Sequence, residues 1–231
     1  MKSRKIRKSL LAVALGPVAA LAVGAAAPSV AVAQAVNPCA PAATAPANPC
    51  APAAAPEQAA ETPAAELPKG PYDTTTKYAQ AVYGNQMPNI VDNYLRATPY
   101  VGTGGLIDPT GMPILKGLGF KTVVNLNTAD EGATAEAALA EQAGLAYINI
   151  AVPTKAPTAE QVAEFAKIVE DPANYPILVH CESSNRVGAL WALYRASTGV
   201  PPMVAVEEGR AVGLKTSREA AVREQLGLPA L

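Results

Sequence analysis

The sequence has little of the side-chain chemistry on which metal centres and histidine-based catalysts depend. Its 231 residues include one histidine, His180, and three cysteines. A single imidazole excludes metal clusters built from several histidines, and it argues against a Cys-His-Asp triad. We therefore predict that the protein uses no metal and no other cofactor.

Positive charge is also scarce once the N-terminus is set apart. Residues 1–33 contain five of the 18 basic residues and none of the 19 acidic ones, which leaves 13 basic against 19 acidic residues, a net charge of −6. Binding to nucleic acid needs a basic surface, so we predict no nucleic-acid partner. Any affinity for an anion must then come from local geometry.

The first 33 residues predict a secretory signal peptide. Basic residues precede an apolar run from Leu10 to Ala27, and Ala31-Val32-Ala33 forms a small-residue cleavage site. We expect cleavage after Ala33, a periplasmic or secreted location, and no stable membrane span afterwards. An uncleaved anchor is the alternative, because the apolar run approaches the ~20 residues that cross a bilayer.

Residues 34–70 predict a Pro/Ala-rich disordered linker, because they hold almost no large apolar side chains to bury. The motif Asn-Pro-Cys-Ala-Pro-Ala-Ala occurs twice in this segment, at 37–43 and at 48–54. In an exported segment, Cys39 and Cys50 suggest a disulfide first. Binding of a soft metal is the second interpretation.

Residues 71–231 predict one α/β domain of ordinary size, in which β-branched strands alternate with helical segments. We expect strands at 121–126, 146–151 and 176–180, and helices at 133–143, 158–171, 187–197, 203–212 and 216–225. Thr158 and Gln161 form a capping-box pattern. This order implies a central, mostly parallel sheet flanked by helices, with a helical C-terminus. The glycine-rich run 101–106 lacks the ending of a nucleotide loop and is predicted to be a turn.

One loop concentrates the reactive chemistry. Cys181 follows an apolar strand, and Arg186 stands just before the next helix. Backbone N–H groups and a helix N-terminus at such a strand end stabilise an anion, and the same field favours the thiolate form of a cysteine. We predict that Cys181 and Arg186 are catalytic, that the partner is a small anionic or phosphorylated molecule, and that the remaining loop residues bind the anion: Glu182, Ser183, Ser184, Asn185, Val187 and Gly188.

The strand, the His-Cys pair, the loop, the arginine and the helix resemble the cysteine-dependent protein tyrosine and dual-specificity phosphatases. More closely, segments 119–126, 143–147 and 180–194 resemble a bacterial family, the beta-lactamase-hydrolase-like, phosphatase-like domain, over nearly all of residues 85–227. The resemblance implies a dual-specificity-phosphatase-like α/β fold. It also implies a hydrolase in which Cys181 attacks phosphorus and Arg186 holds the oxygens.

Three departures from the phosphatase pattern leave the reaction open. Four residues separate Cys181 from Arg186, where the phosphatases have five, and Val187 stands where they usually have Ser or Thr. Segment 152–155 also lacks the aspartate that acts as their general acid. The candidate substitutes are Asp130, Glu131 and Glu182.

The same spacing keeps two other functions under consideration. Cysteine, four residues and arginine is the active-loop spacing of rhodanese-type sulfurtransferases. A protein of that type would carry sulfur as a persulfide on Cys181. A catalytically degenerate anion-binding or scaffold domain is the second alternative. For His180, two interpretations stay open: a group that orients the loop and tunes Cys181, or a strand-end residue with a purely structural role. Trp191 is predicted to pack in the core.

Overall fold

The computed structural model describes residues 66–231; the predicted signal peptide, most of the predicted linker, Cys39 and Cys50 lie outside them. The strands are β1 (Leu95–Thr98), β2 (Val101–Gly104), β3 (Thr122–Asn125), β4 (Ala146–Asn149) and β5 (Ile177–His180). The α-helices are α1 (Gly111–Gly117), α2 (Ala133–Gln142), α3 (Ala159–Glu170), α4 (Asn185–Ser197), α5 (Pro202–Ala211) and α6 (Thr216–Gln225). Within this part of the chain, no helix combines the length and the apolarity needed to cross a membrane.

The five strands form one sheet in the order β1-β2-β5-β3-β4. Only β1 runs antiparallel to its neighbour, and the other pairs are parallel. This confirms the predicted mostly parallel sheet and the helical C-terminus. In the register of the central strand, His180 lies between Gly104 of β2 and Asn125 of β3. The carboxyl ends of β2, β5 and β3 therefore lie side by side, and Cys181 directly follows this edge of the sheet.

Alternation along β5 divides the core between the two faces of the sheet. Ile177 and Val179 pack with α3 and α4, whereas Leu178 packs with α1 and α2 on the opposite face. All three side chains are fully buried, and burial of each contributes about 1.5–3 kcal/mol. Helix α4 is enclosed from Asn185 to Tyr194, which gives the first turn of this helix a rigid setting.

The helices and strands predicted downstream of residue 120 are confirmed, with ends that differ by a few residues. The start of α3 illustrates why: Gln161 N–H donates to Thr158 Oγ1 over 3.3 Å, and Thr158 N–H donates to Gln161 Oε1 over 2.8 Å. These two bonds are the predicted capping box, which satisfies amides that the helix leaves free. Trp191 is 3% exposed, as expected of a core residue.

The prediction of a glycine-rich turn at 101–106 is wrong, because Val101–Gly104 is strand β2. Its glycines serve close packing. A Cβ on Gly102 would lie 2.7 Å from the Tyr94 ring, and one on Gly104 would lie 2.3 Å from Val91 Cγ1. Glycine in a strand marks such a close approach, and this packing partner is not visible in the local sequence.

Candidate active site

The connection from β5 to α4 is shorter than the sequence suggests. Helix α4 begins at Asn185, two residues before the predicted start, so Arg186 belongs to its first turn. The residue before the helix, Ser184, has a left-handed backbone with φ of 64°, and its side chain makes no capping hydrogen bond. The first amides of α4 therefore have neither an intrahelical acceptor nor a side-chain cap.

Cys181 lies at the floor of this connection. It is a free cysteine with 1% of its surface exposed. Its N–H donates to the carbonyl of Gly104 over 3.4 Å, so the backbone of β2 fixes its position. The thiol packs against the apolar cluster on the α4 side of the sheet. A small, enclosed setting of this kind excludes bulk water from a reacting sulfur.

The Arg186 guanidinium is held by the turn that follows β3. Its Nη1 donates to Leu126 O over 3.0 Å and to Glu131 Oε2 over 2.7 Å, and its Nη2 donates to Glu131 Oε1. The Arg186 side chain is 7% exposed, and that of Glu131 is 35% exposed. The Arg186 guanidinium is therefore buried and fixed in orientation, and its ion-pair partner, the Glu131 carboxylate, is more exposed.

This pairing sets the ionisation of both groups. The hydrogen bond from Arg186, assisted by the N–H of Thr128, lowers the pKa of Glu131 to about 2. The same bond raises the pKa of Arg186 above its ordinary value against the effect of burial, and the charges of Glu131, Cys181 and Glu182 also raise it. While it is paired with Arg186, Glu131 is ionised at neutral pH and carries no proton to donate as an acid.

The other predicted loop residues differ in exposure and in what they contact. Glu182 is exposed, with its carboxylate 3.8 Å from Arg186 Nη2, and Ser183 bridges to Gly105. Ser184 is 2% exposed, and its Oγ has no hydrogen-bond partner among the described residues. Val187 lies in the core, and a Cβ on Gly188 would lie 2.1 Å from Leu214 N. The last two positions thus serve packing around the loop.

Asn185 ties the loop to α6. Its Oδ1 accepts the N–H of Lys215 over 2.8 Å, and its Nδ2 donates to Ser217 Oγ over 2.9 Å. The linker before α6 approaches the loop closely, since a Cβ on Gly213 would lie 2.4 Å from Ser184 Cβ, and its φ of 119° also favours glycine. The start of α6 is therefore positioned by the same residues that shape the anion loop.

His180 contacts a glutamate that the sequence analysis did not single out. The imidazole is fully buried, and its Nε2 lies 2.6 Å from Glu136 Oε1, although neither ring nitrogen makes a well-aligned hydrogen bond. Asn125 Nδ2 donates to the same Glu136 oxygen over 3.0 Å and to Tyr147 Oη over 2.8 Å. Burial, followed by the charge of Glu136, raises the pKa of Tyr147 to about 12. A polar cluster thus supports the residue directly before Cys181.

A cavity of about 310 Å³ opens beside Arg186. Its lining residues come from four separate parts of the chain: Thr128, Glu131, Val152, Pro153, Arg186 and Arg218. Asp130 is exposed in the turn that carries Glu131 but does not line the cavity. The structure therefore brings Glu131 and Arg186 together, and it adds Arg218, which no local motif indicated.

Residues 89–225, more than half of the chain, match the family described as DSP-PTPase phosphatase fused to NAD+ kinase. The chain belongs to this phosphatase family. The resemblance to the protein tyrosine and dual-specificity phosphatases is thereby confirmed, and the domain is a protein-tyrosine-phosphatase-like hydrolase. No match is found among curated protein sequences.

Three solved structures are similar to this chain. The active form of Tk-PTP has a TM-score of 0.50 at 19% identity, over 58% of this chain and 95% of that chain. A putative phosphatase (DUF442) from Shewanella putrefaciens has a TM-score of 0.48 at 25% identity, over 58% and 91%. TpbA from P. aeruginosa has a TM-score of 0.49 at 24% identity, over 64% and 89%. The similarity to Tk-PTP supports the phosphatase-like α/β fold.

Proposed function

We propose that the protein is an exported cysteine-dependent phosphatase, with Cys181 as nucleophile and Arg186 as the anion-binding side chain. The observation that carries the proposal is the buried Arg186 fork in the uncapped first turn of α4, five positions after Cys181 at the end of the central strand. Helix amides and a guanidinium stabilise the charge that develops on equatorial phosphoryl oxygens.

The reaction has two steps. The Cys181 thiolate forms a bond to phosphorus as the bond from phosphorus to the leaving oxygen breaks, and that oxygen takes a proton from solvent water. Water then attacks the phosphocysteine and releases phosphate and the thiolate. Because Arg186 is paired with Glu131, the substrate phosphoryl group must take the place of the Glu131 carboxylate on the guanidinium.

Glu131 holds no proton for the leaving oxygen in the substrate-free site. Its pairing with Arg186 lowers its pKa to about 2, which leaves it unprotonated at neutral pH before a substrate binds. Asp130 and Glu182 are exposed. A site without a well-placed acid favours esters whose leaving group needs little protonation, so we expect aryl phosphates to react faster than alkyl phosphates.

Hydrolysis of 4-nitrophenyl phosphate by the reduced protein tests the proposal. We expect turnover that Cys181→Ser abolishes and that the double variant Cys39→Ser/Cys50→Ser retains, because only Cys181 lies in the anion loop. The absence of turnover across pH 5–9 and a panel of aryl phosphates would contradict it. Detection of the chain in the periplasmic or culture fraction, cleaved after Ala33, tests export.

Sulfur transfer is a second candidate, favoured by the four-residue spacing and by the nearly complete burial of Cys181. Here the thiolate takes the outer sulfur of thiosulfate, sulfite leaves, and cyanide accepts the sulfur as thiocyanate. Incubation of the reduced protein with thiosulfate, followed by mass spectrometry, would show one added sulfur on Cys181. Anion binding that needs Arg186 but is unchanged in Cys181→Ala, with neither reaction, would instead indicate a degenerate binding domain.

A further inference from the structure

The cavity beside Arg186 holds a second guanidinium. Arg218 lies in the first turn of α6 and lines this cavity together with Arg186 and Glu131. The cavity measures about 310 Å³, which is at the lower end of the range for small-molecule sites. It has room for more of a substrate than a single phosphoryl group.

Arg218 differs from the other helical arginines in its partners. Arg186, Arg195, Arg210 and Arg223 each lie within 4.0 Å of a glutamate oxygen. In residues 66–231, the Arg218 side chain forms no ion pair, and its one hydrogen bond runs from Nη1 to the Thr154 carbonyl. The guanidinium has five N–H donors, so most of them are available to a ligand.

The position of Arg218 is tied to the anion loop. Asn185, directly before Arg186, binds both Lys215 N–H and Ser217 Oγ and so fixes the start of α6. The carbonyl of Thr154 accepts a hydrogen bond from the Arg218 guanidinium. Two arginines from different helices are thus held at one cavity by a shared residue, which is the kind of pre-organisation that binding sites require.

The positive charge of Arg218 is partly buried and has no ion-pair partner among the described residues. Partial burial lowers its pKa first, repulsion from Arg186 lowers it further, and the charges of Cys181 and Glu131 partly offset both effects. A partly desolvated cation without a counter-ion is unfavourable. Glu131 lines the same cavity, but both of its oxygens are bonded to Arg186 and it forms no ion pair with Arg218.

We propose that Arg218 binds a second anionic group of the substrate, so that the protein selects phosphomonoesters that carry another phosphate or carboxylate near the scissile phosphate. This inference rests on the proposed phosphatase function. When the scissile phosphoryl group binds Arg186, Arg218 is the remaining guanidinium that lines the cavity, and it pairs with the second anionic group.

A pair of substrates that differ in one charge tests this assignment. We compare 4-(carboxymethyl)phenyl phosphate with its methyl ester, and we measure the ratio of their kcat/KM values in the full chain. The wild type should prefer the acid by about tenfold, equivalent to ~1.4 kcal/mol. In Arg218→Gln the ratio should fall to about one, and Arg218→Lys should recover part of it. Lys155→Gln also removes one positive charge, but from an exposed residue, and it should keep the wild-type ratio.

A binding measurement separates failure of this inference from failure of the proposed reaction. Calorimetry on Cys181→Ser, with and without Arg218→Gln, gives the affinity for both compounds without turnover. A tenfold preference that depends on Arg218 supports the inference even if no variant is catalytic. Equal affinity for the acid and the ester, or a preference that persists in Arg218→Gln, overturns it.

Discussion

Two arginine–glutamate clusters in this protein use the same ion pair with opposite patterns of burial. Beside Cys181, the arginine is buried at 7% exposure and Glu131 is 35% exposed at an open cavity. Between α5 and α6, the glutamate is buried: Glu219 is 2% exposed, and its partners Arg210 and Arg223 are 37% and 10% exposed. In the first cluster the carboxylate is able to leave and another anion can replace it. In the second, the buried carboxylate is a fixed structural partner.

The largest effect in this comparison is expected at Arg186. Arg186→Lys keeps the charge but loses the bidentate fork, and loss of a donor of this kind costs about 100-fold in kcat. We expect that decrease in the hydrolysis of 4-nitrophenyl phosphate, with a comparable loss of sulfate affinity by calorimetry. Arg195→Lys, on the same helix but paired with Glu208, is the control and should retain sulfate affinity. Equal effects of the two substitutions would contradict the assignment of Arg186.

The next effect concerns stability at the closed cluster. Glu219→Gln leaves two guanidinium groups against a buried amide, and disrupting a buried pair costs 3–5 kcal/mol when both partners are enclosed. Since Arg210 is 37% exposed, we expect about 2 kcal/mol of lost unfolding free energy in urea. Glu207→Gln removes the 59% exposed partner of the same arginine, and we expect less than ~0.5 kcal/mol. A similar loss in both variants would mean that burial does not distinguish the two pairs.

The smallest effect is expected at Glu131. Glu131→Gln removes the charge that competes for Arg186, so we expect sulfate to bind about tenfold more tightly, a typical value for an exchangeable charged contact. Asp130→Asn, the exposed neighbouring residue, should change the affinity by less than about twofold. Sulfate binding that is unchanged or weaker in Glu131→Gln would show that Glu131 supports the anion site.

The pH dependence of that gain follows from the direction of the shift. The pKa of Glu131 falls from 4.5 to about 2 in the folded protein, so its interaction with Arg186 is complete above pH 4.5 and is lost as the pH falls toward 2. The difference in sulfate affinity between the wild type and Glu131→Gln should therefore be the same at pH 5.5 and at pH 8. A difference that shrinks at pH 5.5 would show that Glu131 takes up a proton when sulfate displaces it from Arg186, which would contradict its assignment as a competing negative charge.

The predictions that succeeded depended on interactions between neighbouring residues. The capping box at Thr158 and Gln161 joins positions three apart, and the strand at 176–180 is recognisable from its own apolar residues. The failed prediction at 101–106 depended on Tyr94 and Val91, whose packing against the glycines of β2 follows from sheet assembly. Local residue preference was overruled there by tertiary packing.

The sequence by itself determined the family, the mostly parallel α/β architecture and the placement of Cys181 and Arg186 at one strand-to-helix connection, because these features repeat or adjoin along the chain. Only the tertiary structure decided what surrounds them. Glu131 lies 55 residues from Arg186 in sequence, and Arg218 reaches the carbonyl of Thr154, 64 residues away. Contacts over such separations arise from strand order and helix packing, and a local pattern carries no information about either.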